Sequence, residues 1–176
     1  NLSSKDTYVI NVASKPLPFK GSKSLYNVDN KNYIETSDYN KIVTVLQGIS
    51  DKLPEIKNIV IDDSQFVMSF EYMNRCKENG FGKFAEIAQH MFKIFEKAKD
   101  LRDDIKVYVL SHAEDVYDDK AIVGQKMMTI GQMIDNNVPL ESLFTVCLYT
   151  DVSENKDGQL TYSFITNKLG KVSAKS

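Results

Sequence analysis

The run Lys57-Asn58-Ile59-Val60-Ile61-Asp62-Asp63-Ser64-Gln65-Phe66 constrains the fold more than any other stretch of the chain. Three consecutive β-branched apolar residues read as a strand buried on both faces, the pattern of a parallel sheet. Two carboxylates, Asp62 and Asp63, arrive together at its C-terminal end. In open α/β sheets, ligands sit outside that end of the strands. Paired acids there suit a magnesium ion and an attacking water. The same residues also fit a strand running into an Asp-rich turn or a helix cap.

The flanking sequence alternates strands and helices. Residues 7–12 have strand propensity. Residues 14–32 form a loop, broken by Pro16, Pro18 and Gly21, with Lys15, Lys20 and Lys23 around Phe19. A basic loop with an aromatic can grip phosphate or single-stranded nucleic acid, and solvated surface lysines look the same. Residues 32–35 are extended. A helix over 38–52, capped by Ser37 or Asp38, carries the stripe Ile42, Val43, Leu46, Ile49 and Leu53. After the central strand, helices are expected over 66–77, ended by Asn79-Gly80, and over 83–100. His90 lies within the second of these, where a structural role is the expectation. A strand over 105–110 then ends in Ser111-His112-Ala113-Glu114. Residues 115–119 read as an acidic turn, 123–130 as strand or loop, 132–136 as a short helix and 143–149 as a buried strand. Asp157-Gly158 signals a hairpin turn, with 160–165 as its return strand. Alternation of this kind predicts an α/β domain, a mostly parallel sheet flanked by helices, with a C-terminal β-hairpin.

A length of 176 residues suits a single domain. The net charge of −2 provides no global attraction to nucleic acid, so any DNA contact must be local. No apolar run approaches the roughly 20 residues that span a bilayer, and no membrane partner is expected. Cys76 and Cys147 lie far apart without metal-ligand spacing, which points to reduced thiols and a cytoplasmic setting.

The order of motifs resembles a family of phage and prophage ATP-binding proteins with a RecA-like P-loop NTPase core of the AAA type. The resemblance rests on residues 8–21, on Ile59-Val60-Ile61-Asp62-Asp63-Ser64-Gln65-Phe66, and on Leu101-Arg102-Asp103-Asp104. Leu110-Ser111-His112, Thr129-Ile130-Gly131 and residues 143–150 complete it. It implies that Asp62 is the Walker-B acid that holds Mg2+ through water, that Asp63 polarises the attacking water, and that Ser111 and His112 sense the γ-phosphate. It implies ATP hydrolysis in phage DNA recombination or replication, with single-stranded DNA as a partner, in the cytoplasm of a bacterial host. Such ATPases commonly complete their sites between the subunits of a homo-oligomer. Only two arginines, Arg75 and Arg102, occur, so a lysine is expected to act in trans, Lys168 or Lys171 ahead of Lys126.

One departure stands out. The chain contains no G-x-x-x-x-G-K-S/T, and Gly21-Ser22-Lys23-Ser24 lacks both the upstream glycine and the Gly-Lys adjacency. The expectation is a single domain, residues 1–176, truncated before residue 1, with the P-loop strand-loop-helix upstream and little ATPase activity by itself. One alternative is a non-catalytic module that binds DNA or protein. Another is a metal-dependent nuclease recruiting Glu114 and Asp115.

Overall fold

The computed structural model describes residues 2–130, 140–167 and 174–175. The chain divides into two compact units. The first comprises Asn1–Ser111 and Thr129–Met133, the second His112–Met128 and Ile134–Ser176.

The first unit is built on four parallel strands. Strand β1 (Thr7–Asn11) is followed by a single helical turn, α1 (Ser22–Leu25), inside the segment expected to be loop. Strand β2 (Tyr33–Glu35), helix α2 (Tyr39–Lys52) and strand β3 (Asn58–Asp62) come next. Helices α3 (Phe66–Asn74) and α4 (Gly82–Lys99) then lead to strand β4 (Lys106–Val109). The sheet order is β2-β1-β3-β4, so the run that anchors the sequence reading is an internal strand. Helix α2 starts at Asp38, whose carboxylate accepts the backbone N–H groups of Asn40 and Lys41. That satisfies two of the donors a helix N-terminus leaves open.

Parallel register aligns side chains into rows across the sheet. Ile34, Ile10, Ile61 and Val109 make one such row. Ile10 and Ile61, with Ile59 beside them, are fully buried. Ile42, Leu46 and Ile49 of α2, Val67 and Met68 of α3, and Ile87, Met91, Ile94 and Phe95 of α4 are buried as well. On the opposite face Thr7, Val9 and Asn11 of β1 are buried, and cover falls off towards β4: Val60 is half-buried where burial on both faces was expected, and Tyr108 and Leu110 are 39% and 51% exposed. Among the described residues β4 pairs only with β3, which leaves its other edge without a strand.

In the second unit, β5 (Ala113–Asp118) pairs antiparallel with β6 (Ala121–Met127). This corrects the expected acidic turn: Glu114 to Asp118 are strand, and the chain reverses at Asp119 and Lys120, both at positive φ. A 3-10 turn, Leu140–Leu143, precedes the hairpin of β7 (Tyr149–Glu154) and β8 (Leu160–Ile165). The strand expected over 143–149 does not form; Cys147 makes one isolated bridge to Lys175, and regular pairing begins at Tyr149. Glu141 explains the offset, because its carboxylate takes the Met127 N–H at 2.6 Å and the Tyr149 hydroxyl at 3.2 Å. Gly158, at φ 77°, closes the hairpin as expected. The helix expected over 132–136 lies outside the described residues. No helix among the described residues is long and apolar enough to cross a membrane.

Candidate functional site at the tips of the parallel strands

The C-terminal ends of β1, β2, β3 and β4 place polar residues side by side. The row after Ile34, Ile10 and Ile61 is Glu35, Asn11 and Asp62. In-register residues of a parallel ladder share a face, so these three side chains stand in line. The backbone holds the row closely. Val12 N–H donates to the Asp62 carbonyl at 3.1 Å, and Leu110 N–H to the Ile61 carbonyl at 2.9 Å. Asp63 then adopts a left-handed conformation, φ 56°, which Asp tolerates better than most residues. That turn carries the chain back so that Ser64 N–H donates to the Leu110 carbonyl at 2.9 Å. The two acids therefore leave the strand end in different directions.

Side-chain contacts knit the row together. Asn11 Nδ2 donates to the Tyr33 hydroxyl at 2.9 Å and to the Lys15 carbonyl at 2.5 Å. The Tyr33 hydroxyl donates to Glu35 at 2.7 Å. Lys15 Nζ lies 2.5 Å from Asp63 Oδ2 and 5.4 Å from the centre of the Phe66 ring. Burial raises the Asp62 carboxyl above the usual aspartate value, the charge of Asp63 adds to the rise, and Lys15 partly opposes it. Burial also raises Tyr33, with Glu35 and Asp62 contributing. Asn11 Oδ1 and Ser64 Oγ are buried and have no hydrogen-bond partner among the described residues. Buried polar atoms left in that state are uncommon in proteins and are accounted for by strain, a catalytic role, or a water or ion at the atom.

The expected site residues separate into three sets. Asp62, Asp63 and Ser111 belong to the first unit at this end of the sheet, and Ser111 Oγ donates to Gln65 Oε1 at 3.2 Å. His112 begins the second unit, where its carbonyl accepts the Met128 N–H at 2.9 Å. Lys168 and Lys171 lie outside the described residues. Among the remaining candidates, Lys126 pairs with Glu114 at 3.1 Å, and Asp115 accepts Gln125 at 3.2 Å, both within the β5–β6 hairpin. Gly21 precedes α1, whose Ser24 and Leu25 carbonyls receive Asn30. His90 lies 2.9 Å from Glu71 and stacks on Tyr39 at 3.6 Å, the structural setting expected for it. Arg75 is held by Glu71, Glu78 and Glu86.

Sequence reasoning missed Asn11, Tyr33, Glu35 and Gln65. Asn11 and Gln65 carry polar side chains at the ends of apolar runs, a signal that was there to be read; Tyr33 and Glu35 join the site only through the β1–β2 register. Among the described residues, no group of three or more His, Cys, Asp or Glu side chains is arranged to hold a metal ion. Protein-family models return no match to this chain, and curated proteins return no significant one.

Proposed function

We propose that the strand tips bearing Asp62 and Asp63 form the metal and water side of an ATP-hydrolysing site of RecA-like P-loop type. The protein then serves phage DNA recombination or replication, acting with single-stranded DNA as a homo-oligomer. The observation that carries this reading is a pair of adjacent carboxylates, one half-buried with its pKa raised, at the end of an internal strand of an all-parallel sheet. A carboxylate perturbed by burial and a neighbouring charge, at the end of the strands where ligands bind in such sheets, is a candidate functional group.

The donor set fits magnesium. Mg2+ is commonly bound by one or two carboxylates, with waters and substrate phosphates completing the shell. With Glu35 engaged by the Tyr33 hydroxyl, and with no three such ligands converging among the described residues, Asp62 and Asp63 suit that arrangement better than a protein-only metal cage, which weighs against the nuclease reading. Asp62 holds the cation through water, and the cation supplies charge neutralisation at the transferred phosphoryl group. Asp63, carried out of line by its left-handed backbone, accepts a hydrogen bond from the attacking water and orients it. Ser111 is fixed by Gln65 at the neighbouring tip, in reach of a sensing role. Lys168 or Lys171 of a neighbouring subunit neutralises developing charge.

The phosphate cradle is a different matter. The 176 residues contain no G-x-x-x-x-G-K-S/T, and no step is assigned to one. The edge of β4 that no described strand pairs supports the addition of a strand there. A phosphate-binding strand in that position brings its loop beside Ser111 and Asp62. The absence of the loop motif favours a second reading, a binding module for DNA or protein that does not hydrolyse ATP.

The test is ATP binding and turnover by the full polypeptide with Asp63→Asn. The proposal predicts that turnover drops by about 100-fold while nucleotide affinity stays within about threefold, because a water-orienting group acts mainly in the transition state. Unchanged turnover removes Asp63 from the mechanism, and failure of the wild type to bind ATP favours the binding module.

A further inference from the structure

We propose that the Lys15 ammonium is a built-in occupant of the cation position at Asp62 and Asp63, and that a divalent cation enters only by displacing it. The inference rests on the reading of these two acids as a magnesium site and adds how that site is guarded.

Four observations support it. Lys15 Nζ contacts Asp63 Oδ2 at 2.5 Å, and its charge partly offsets the raised Asp62 carboxyl beside it. The Lys15 side chain is 57% exposed whereas that of Asp63 is 14% exposed. The lysine can therefore swing into water at small cost, since an exposed partner loses little on leaving an ion pair. Its backbone, by contrast, is pinned: the Lys15 carbonyl receives Asn11 Nδ2, and Ser14 before it is at φ 54°. The side chain is thus a movable arm on a fixed shoulder. Finally, Asn11, in register with Asp62, and Ser64, next to Asp63 in sequence, each bury a side-chain oxygen that has no hydrogen-bond partner among the described residues. An ammonium bound at Asp63 leaves them unsatisfied. A hydrated divalent cation brings water donors that satisfy oxygens of this kind.

Displacement has a consequence for phosphate chemistry. The released ammonium stays tethered within a side chain's length of the site, held over the Phe66 ring at 5.4 Å in the closed state. A phosphate that arrives with the cation finds a cationic arm already beside it. Lys15 then changes partner from Asp63 to the anion, and Asp63 turns from the ammonium to water.

The test uses Mn2+ alone as the probe, followed by paramagnetic broadening of the amide signals of residues 62–65. Lys15→Met keeps the aliphatic stem against Phe66 and removes the charge. It is expected to lower the Mn2+ midpoint by about fivefold, the scale of one partly exposed ion pair. Lys15→Arg is expected to stay close to the wild type, and Asp62→Asn to raise the midpoint. A second measurement needs no variant: reductive methylation of Lys15 in the wild type is expected to speed up when Mg2+ is added. A weakened Asp62→Asn with an unchanged Lys15→Met midpoint overturns the guard and leaves the magnesium reading standing. Midpoints unmoved in both variants overturn the two together. Methylation of Lys15 indifferent to Mg2+ also overturns the guard.

Discussion

Asp62 carries an electrostatic cost that Lys15 offsets only in part. Its carboxyl is raised, first by burial and then by Asp63. A raised carboxyl stabilises the fold while it is protonated. That contribution is full below the unfolded value, near pH 4, and is lost as pH rises through the higher folded value. Above that value the metal-free protein holds Asp62 charged against its surroundings. Asp62→Asn is expected to raise Tm at pH 7 by about 1–3 °C, with the gain fading as pH falls towards 4. Thermal unfolding of the two proteins across that range checks it, and a lower Tm for Asp62→Asn at pH 7 contradicts it. The acids themselves were legible in the sequence because two carboxylates after an apolar run are visible without any fold. Their company was not. Glu35 and Asn11 are 24 residues apart in sequence, and only parallel register makes them neighbours.

At the level of elements, Arg102 shows how a loop residue can organise a sheet. Its guanidinium donates to the carbonyls of Ser50 at 2.9 Å and Ile56 at 2.5 Å, and its Nε to Asp104 at 2.7 Å. It thereby joins the end of α2, the approach to β3 and the approach to β4. Lys57 and Arg102 hold the Asp104 carboxyl down at about 2. Arg102→Ala leaves part-buried carbonyls without donors and is expected to cost about 2 kcal/mol in urea unfolding; a loss below about 0.5 kcal/mol contradicts that role. Losing the α2 cap through Asp38→Ala is expected to cost about 1 kcal/mol by the same measurement. Helices α2 and α4 and strands β1 and β3 were readable because each follows its own period and caps. The segment 115–119 was not, since Asp115, Asp118 and Asp119 suggest a turn while cross-strand partners in β6 decide for a strand. Likewise the apolar run 143–149 looks like a strand, but the ties of Glu141 to Met127 and Tyr149 delay regular pairing until Tyr149.

Across the whole molecule, the two units differ in how their strands are secured. In the first, β1 and β3 each have strands on both sides and a buried isoleucine face. In the second, the described strands form two separate two-stranded ribbons with Tyr117, Ile122, Tyr162 and Phe164 exposed. Isolated ribbons are marginal by themselves. Hydrogen exchange is expected to protect the amides of β1 and β3 at least about 100-fold more than those of β5 to β8. Equal protection throughout contradicts this division. The α/β class and the hairpin were legible because alternation and turn chemistry are local signals. The division into two units was not, because no change of composition marks Ser111-His112.

The central claim is that Asp62 and Asp63 together make one magnesium-dependent phosphate site. Phosphate release from ATP by the full polypeptide, measured against Mg2+ concentration for the wild type and Asp62→Asn, tests it most directly. The account predicts Mg2+-dependent release by the wild type and, in Asp62→Asn, a loss of about 100-fold or more. Release that is the same in both proteins, or that does not depend on Mg2+, contradicts it.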